Sequence, residues 1–371
     1  MRASASLFEP IRLSLGRHTV RCRRALAPLA ALALVLLMAV PVAARPHWTE
    51  PRQILAMDGA PRAHATVVDA DGDVHVAIER PDRPGIWYAT DVGDGWQVRR
   101  VTRQRDVEPA IAVDGATVTI AFARLDDGGD SRGIFTATRR GSDWTVERVS
   151  DQAGRKPAMD AADGIVHVAF RSDDRLMYLR LGAGIREEHA SSYCCGGAPS
   201  LQLDDRDRPV IAFSEASGLV IGRERAGDWD FELVDRGDTR HPTLVIDGGR
   251  PHVAYVRAGE GPVVRAFFPS QVNNISFWEI RPVAGGRRPL DLLFVAGSGS
   301  AYAVGVRDGE RGRILRTEIS NDTEATLVVP EERGVRSVEV ERLPDAGVSR
   351  RPVLVFGRDD GLWTMRNVGR F

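Results

Sequence analysis

Cysteine is almost absent from this chain: three residues in 371, two of them adjacent as Cys194-Cys195. No Cys/His set has the spacing of a zinc site, so a structural zinc domain is excluded. No cysteine lies at a recognisable spacing from a histidine, which leaves a cysteine–histidine nucleophile without support. Lysine is nearly missing as well. Lys156 is the only one among 50 basic residues, a bias that reads first as GC-rich codon usage and second as chemistry. The formal net charge is −1, so there is no electrostatic case for a nucleic-acid partner.

Long apolar runs are confined to one place. Arg21, Arg23 and Arg24 precede ALAPLAALALVLLMAVPVAA (25–44), after which Arg45-Pro46 opens a polar sequence. A basic n-region, a short apolar h-region and small residues at Val42 and Ala44 describe a secretory signal peptide over 1–44. The alternative is an uncleaved anchor, but Pro28 and Pro41 leave too short a run for a spanning helix of about 20 residues. The n-region is long, and a start at Val20 would give a signal of ordinary size. Cleavage removes six arginines, Glu9 and Cys22, leaving 44 basic against 50 acidic side chains and only the adjacent cysteine pair. The expected product is exported, to the periplasm or beyond, with no stable membrane span.

What the chain has in abundance is repetition. HATVVDADGDVHVAIE (64–79), PAIAVDGATVTIAFAR (109–124), PAMDAADGIVHVAFR (157–171), PSLQLDDRDRPVIAFS (199–214) and PTLVIDGGRPHVAYVR (242–257) share one pattern. PLDLLFVAGSGSAYAVGVR (289–307) and SVEVERLPDAGVSRRPVLVFGR (337–358) are weaker copies. Each is an alternating strand, an Asp/Gly turn and a second strand of β-branched and aromatic residues. A third strand follows, as in GIWYAT (85–90), GIFTAT (133–138) and GLWTMR (361–366), and a fourth is marked by tryptophan in four copies. The prolines at 109, 157, 199, 242 and 289 are 48, 42, 43 and 47 residues apart. Four-stranded units of this length predict an all-β, seven-bladed β-propeller over residues 45–371, four antiparallel strands per blade. The seventh unit ends after its third strand. Trp48, Trp96 and Trp144 are each 48 residues apart, so HWTEPRQIL (47–55) is expected to supply the missing strand and close the last blade.

The P-S-x-x-x-D, V-H-V-A-F and later D-W pattern resembles secreted bacterial propellers related to sialidases, with their Asp-box (BNR) repeats. GSDWTV (141–146) and VGDGWQV (92–98) are degenerate versions of that box. The resemblance is one of repeats across the whole mature chain. It implies a propeller whose relatives include glycoside hydrolases, polysaccharide lyases, lectins and scaffolds, and fold alone does not choose among them.

In a propeller the segment entering each first strand crosses the face where ligands usually bind. Two residues before the proline position stand Arg62, Val107, Arg155, Gly197, Arg240 and Arg287; one before it stand Ala63, Glu108, Lys156, Ala198, His241 and Arg288. His64 replaces the first proline. Convergent guanidinium groups would bind carboxylate, sulfate or phosphate through paired hydrogen bonds; the competing reading is an ordinary solvated loop surface. Tyr193 with Glu108 could be cast as a sialidase-type nucleophile and partner, and His241 as a lyase base, but nothing in the sequence sets their geometry. His75, His167 and His252 recur at one position of the second strand, which argues for a repeated packing or hydrogen-bonding role. DADGD (69–73) and DDRD (204–207) read as hairpin turns. No metal or other cofactor is expected.

Cys194 and Cys195 enter the fourth unit on the same face. Their Cα atoms lie about 3.8 Å apart, below the usual disulfide range. A strained vicinal disulfide eased by Gly196-Gly197, bonds to a partner chain, and reduced thiols for a soft metal such as copper(I) remain open. The expectation is a monomeric module for a small-molecule or glycan ligand, or a protein partner, with a carbohydrate-active enzyme as the alternative.

Overall fold

In the computed structural model, residues 48–366 are described except 94, 183, 185, 192–196, 226, 248, 258–262, 268–277, 284–292, 298–299, 307–313, 319–325, 328–333 and 343–351. The chain from Pro46 to Phe371 forms one compact unit. Among the described residues there is no helix, and 28 strands form seven four-stranded antiparallel sheets.

Sheet 1 runs Ala63–Val68, Val74–Glu79, Ile86–Thr90, Gln97–Arg100, and sheet 2 runs Asp106–Asp114, Thr117–Leu125, Ser131–Arg140, Asp143–Ser150. Sheets 3, 4, 5 and 6 begin with Gly154–Ala162, Ser200–Leu203, Thr239–Asp247 and Leu293–Gly297. Sheet 7 takes Val335–Arg342, Pro352–Arg358 and Gly361–Arg366, and its fourth strand is Arg52–Ala56 from the other end of the chain. The first strands of consecutive sheets lie against one another, and that of sheet 7 lies against that of sheet 1.

The second strands are rich in apolar residues and largely buried, because each is covered on both faces. All six residues of Val74–Glu79 are buried. Each core cluster draws on two adjacent sheets: Ile111, Ile120 and Phe122 pack with Ile86 and Tyr88, while Met159, Val168 and Phe170 pack with Val107 and Ile134. Phe122, Phe170, Phe213 and Phe356 are at most 1% exposed, and truncating such a ring costs about 3–5 kcal/mol.

Polar stitches cross the same seams. The Asp114 carboxylate accepts from Gly164 N, Asp160 from Leu203 N, Ser200 Oγ from Leu244 N and Gln202 Oε1 from Ile246 N, at 2.5–3.0 Å. Between sheets 7 and 1, Ser337 Oγ lies 3.3 Å from His64 Nδ1. Each stitch satisfies a polar group that the neighbouring sheet would otherwise bury.

One glycine position explains why the N-terminal strand can stand in for a fourth strand. Gly85, Gly133, Gly218 and Gly361 stand at or near the start of their third strands, at φ +95, +112, +141 and +144. A Cβ there would meet the carbonyl oxygen of Thr102, Ser150, Asp235 and Leu55 at 2.3, 2.1, 1.9 and 2.2 Å. The first three carbonyls belong to the fourth strand or just follow it. Leu55, just over 300 residues earlier than its partner, takes the same place.

Candidate functional site

Each site begins with an irregularity in a first strand. Pairing skips from Val107 to Ala110, from Arg155 to Ala158 and from Arg240 to Thr243. The skipped residues are Glu108-Pro109, Lys156-Pro157 and His241-Pro242. Proline has no amide hydrogen to give the ladder, so a bulge is where a strand tolerates it. Glu108, Lys156 and His241 adopt φ of +53, +52 and +52, a left-handed conformation costing about 1–3 kcal/mol for a residue with a side chain.

The bulges release amide groups, and carboxylates from the preceding sheet take them. Glu79 Oε2 accepts from Glu108 N at 2.8 Å, and Glu108 Oε2 accepts from Lys156 N at 2.9 Å. Glu108 is also gripped by Arg155, Nε to Oε2 at 2.9 Å and Nη2 to Oε1 at 3.0 Å. Burial pushes the Glu108 carboxyl up, but the bonds from Arg155 and Lys156 N outweigh it and hold the group below its ordinary value. Glu79 goes the other way: burial raises it above the usual range, against the opposing Glu108 amide and the Arg62 charge. His241 is lowered by desolvation, then by the charges of Lys156 and Arg240.

Beside this ladder is a cavity of about 250 Å³ between sheets 1 and 2, lined among others by Arg62, Glu79, Arg80, Arg83, Arg105 and Asp106. Arg80 is spoken for by Asp82 at 2.5–2.8 Å and stacks 4.8 Å over Trp87. Asp106 is held bidentately by Arg124. Arg62 and Arg105 are different. Among the described residues their guanidinium groups hydrogen-bond only main-chain carbonyls, of Pro81 at 3.5 Å and of Asp126 and Asp127 at 3.3–3.4 Å.

Of the ten cationic, acidic and aromatic residues picked from the sequence, Glu108, Arg155 and Lys156 form one network, with Arg62 and His241 within electrostatic reach of it. Arg155 is engaged with Glu108, and Arg240 with Asp238 at 2.8–3.1 Å. His64 is 8% exposed and turned to the seam with sheet 7. Tyr193, Cys194, Cys195, Arg287 and Arg288 lie outside the described residues. Gly197, just after the cysteines, comes beside His241: a Cβ there would sit 3.6 Å from His241 N and 3.9 Å from Nδ1.

The sequence reading missed Glu79, Arg83, Arg105 and a recurring arginine at the end of the second strand. Arg80, Arg124, Arg257 and Arg358 each follow a bulky buried residue by two, and Arg80, Arg124 and Arg358 stack on Trp87, Phe135 and Trp363 at 4.0–4.8 Å. The signal was present in the repeats as I-E-R, F-A-R, Y-V-R and F-G-R.

Two of the three repeated histidines, His75 and His167, make a shared hydrogen bond of the kind their position suggested. His75 Nδ1 and His167 Nδ1 each lie 2.5 Å from a tyrosine oxygen, of Tyr88 and Tyr178. Both pairs are buried. Tyr255 donates to Asp235 at 2.6 Å next to Arg257, a tyrosine–carboxylate–arginine set. However, Tyr255 is 0% exposed, and burial together with the Asp235 bond pushes its phenol up. Such a phenol resists the ionisation a nucleophile needs. No group of three or more potential metal ligands occurs among the described residues.

No family model matches the chain, and no curated protein matches it in sequence. Among solved structures it is similar to YCF48 from Cyanidioschyzon merolae, at 11% identity and TM-score 0.55, covering 86% of this chain and 98% of that one. It is more distantly similar to the Aleuria aurantia fungal lectin, a six-bladed β-propeller with a fucose recognition mode (9% identity, TM-score 0.48, 71% and 93% covered). A third is Trypanosoma rangeli sialidase (10% identity, TM-score 0.45, 75% and 60% covered). At these identities the likeness is one of fold.

Proposed function

We propose that this chain is an exported seven-bladed propeller, its ring closed by Arg52–Ala56, that binds an anionic sugar or similar small anion on the face carrying the bulges. The observation that carries this reading is the pair Arg62 and Arg105. Both line one cavity, and neither has a carboxylate within hydrogen-bond reach among the described residues. A guanidinium bonded only to carbonyls keeps its full charge and most of its fork of donors for a carboxylate or sulfate. The Glu108–Arg155 pair beside it is a second, masked cation. Binding is preferred to catalysis because the described tyrosine–carboxylate set is buried and structural.

The test is calorimetry on protein recovered after export, against glucuronate, N-acetylneuraminate and inorganic sulfate, with glucose as the neutral control. An anion should bind, and Arg62→Gln with Arg105→Gln should abolish binding without lowering the melting temperature. Unchanged affinity in that double variant would remove the cavity from the proposal. The same preparation should begin near Arg45 and, with Cys194 bonded to Cys195, weigh about 2 Da less than its reduced form. Two alkylatable thiols would exclude the vicinal bond.

A further inference from the structure

A second cavity, of about 370 Å³, is at the other end of sheet 1. Arg52 of the N-terminal strand and Thr364 and Arg366 of sheet 7 form one wall. Asp73, from the turn after the first strand of sheet 1, forms another, with Asp91 and Trp96 from the connection to its fourth strand. Ala63–Val68 separates this cavity from Arg62, a distance of about 20 Å at 3.3 Å per residue.

Among its described lining residues the charges balance but do not all pair. Arg366 bonds Asp91, which also accepts from Val74 N at 2.7 Å. Asp73 has no hydrogen bond to its carboxylate, and Arg52, exposed at the rim, has no partner at all among the described residues. Burial and the neighbouring carboxylates of Asp69 and Asp91 push the Asp73 carboxyl up, as expected for an acid with no compensating cation in contact. Thr364, only 5% exposed, keeps a buried hydroxyl without a partner in the same wall. Beside the half-buried Trp96, a Cβ added at Gly93 or Gly95 would meet nothing within 4 Å.

We propose that this cavity is a second ligand site, for a neutral sugar. A free carboxylate accepts from vicinal hydroxyls, a free guanidinium donates to ring or hydroxyl oxygens, and an indole offers a face to the apolar side of a pyranose. The balance of Arg52 and Arg366 against Asp73 and Asp91 among the described lining residues separates it from the arginine-rich cavity on the other face, which suits an anion. The volume fits one or two sugar rings, at the small end of ligand pockets of about 300–1,000 Å³. A free amino acid, which could also bridge Arg52 and Asp73, would leave most of that space empty.

The experiment titrates methyl glycosides of glucose, galactose, mannose and fucose into protein produced from the full chain, followed by calorimetry and tryptophan fluorescence. At least one glycoside should bind with Kd on the order of 1 mM. Asp73→Asn and Arg52→Gln remove side chains with no structural partner, so both variants should fold and each should weaken that glycoside about tenfold. The Arg62→Gln, Arg105→Gln protein should bind it as the parent does, whatever becomes of anion binding. No binding by any of the four glycosides, undiminished binding in both single variants, or displacement of the sugar by free glycine would overturn the proposal.

Discussion

Replacing Glu108 with glutamine separates the two jobs of the bulge network. The carboxylate accepts three hydrogen bonds, two from Arg155 and one from Lys156 N. Hydrogen bonds to a charged group contribute about 1.5–3 kcal/mol each when buried. Here the Arg155 side chain is 41% exposed, so solvent screening reduces the ion pair to about 1 kcal/mol. The amide keeps one oxygen for Lys156 N but turns an NH₂ toward the guanidinium. The net expected loss is about 1–2 kcal/mol, a fall in melting temperature of roughly 2–8 °C at 2–4 °C per kcal/mol. The same change frees Arg155 and removes one negative charge from the face, so affinity for an anion should rise about tenfold, or 1.4 kcal/mol. The pH dependence has a definite sign. Glu108 is held below the ordinary 4.5, so its contribution is complete above that value and is lost as pH falls through the lower folded-state value. E108Q should therefore show a shallower acid limb in denaturant titrations. A variant that melts within a degree of the parent, with unchanged anion affinity, would refute both the energetic account and the masked-cation reading.

Two further outcomes follow from buried groups. His64 and His167 are lowered from 6.5 to about 4, in each case first by desolvation. Unfolding then takes up protons between those values, so stability is complete above pH 6.5 and declines as pH falls toward 4, by on the order of 2 kcal/mol per histidine at pH 5; urea midpoints at pH 7 and 5 should show it, and His64→Gln should remove about half of the slope, whereas an unaltered slope would assign it elsewhere. Gly361→Ala should displace Arg52–Ala56, because a Cβ would lie 2.2 Å from the Leu55 carbonyl oxygen at φ +144, costing at least about 3 kcal/mol; hydrogen exchange of 52–56 should rise sharply, while Gly95→Ala, with open space around it, serves as the neutral control, and equal protection in both would mean the strand contributes little to closing sheet 7.

The strands were legible because their cause is local. Alternating apolar residues, Asp/Gly turns and a 42–48-residue repeat recur in VHVAIE, TIAFAR and VHVAFR, and the pairing of Arg52–Ala56 with Gly361–Arg366 follows from Trp48 holding the position of Trp96 and Trp144. The role of His75 and His167 was legible for the same reason, since both stand at one position of the repeat and meet the equivalent tyrosine. The candidate site was legible only in part. Aligning the residues before each proline singles out Glu108, Lys156 and His241, yet nothing in E-P, K-P or H-P announces a left-handed backbone.

Pairing was decided in three dimensions. Glu108 and Arg155 are 47 residues apart, and only the lateral packing of sheets 2 and 3 makes them partners. That contact turns an expected free arginine into a neutralised one, while Arg62, picked out by the repeat, and Arg105, unremarkable in sequence, keep their charge beside a cavity. By itself the sequence determined the repeat unit, the four strands in each copy and the strand borrowed from the N-terminus, since these depend on periodicity along the chain. Which charges are cancelled, which remain free and where cavities open depends on distances between sheets, and those exist only after the seven sheets have packed.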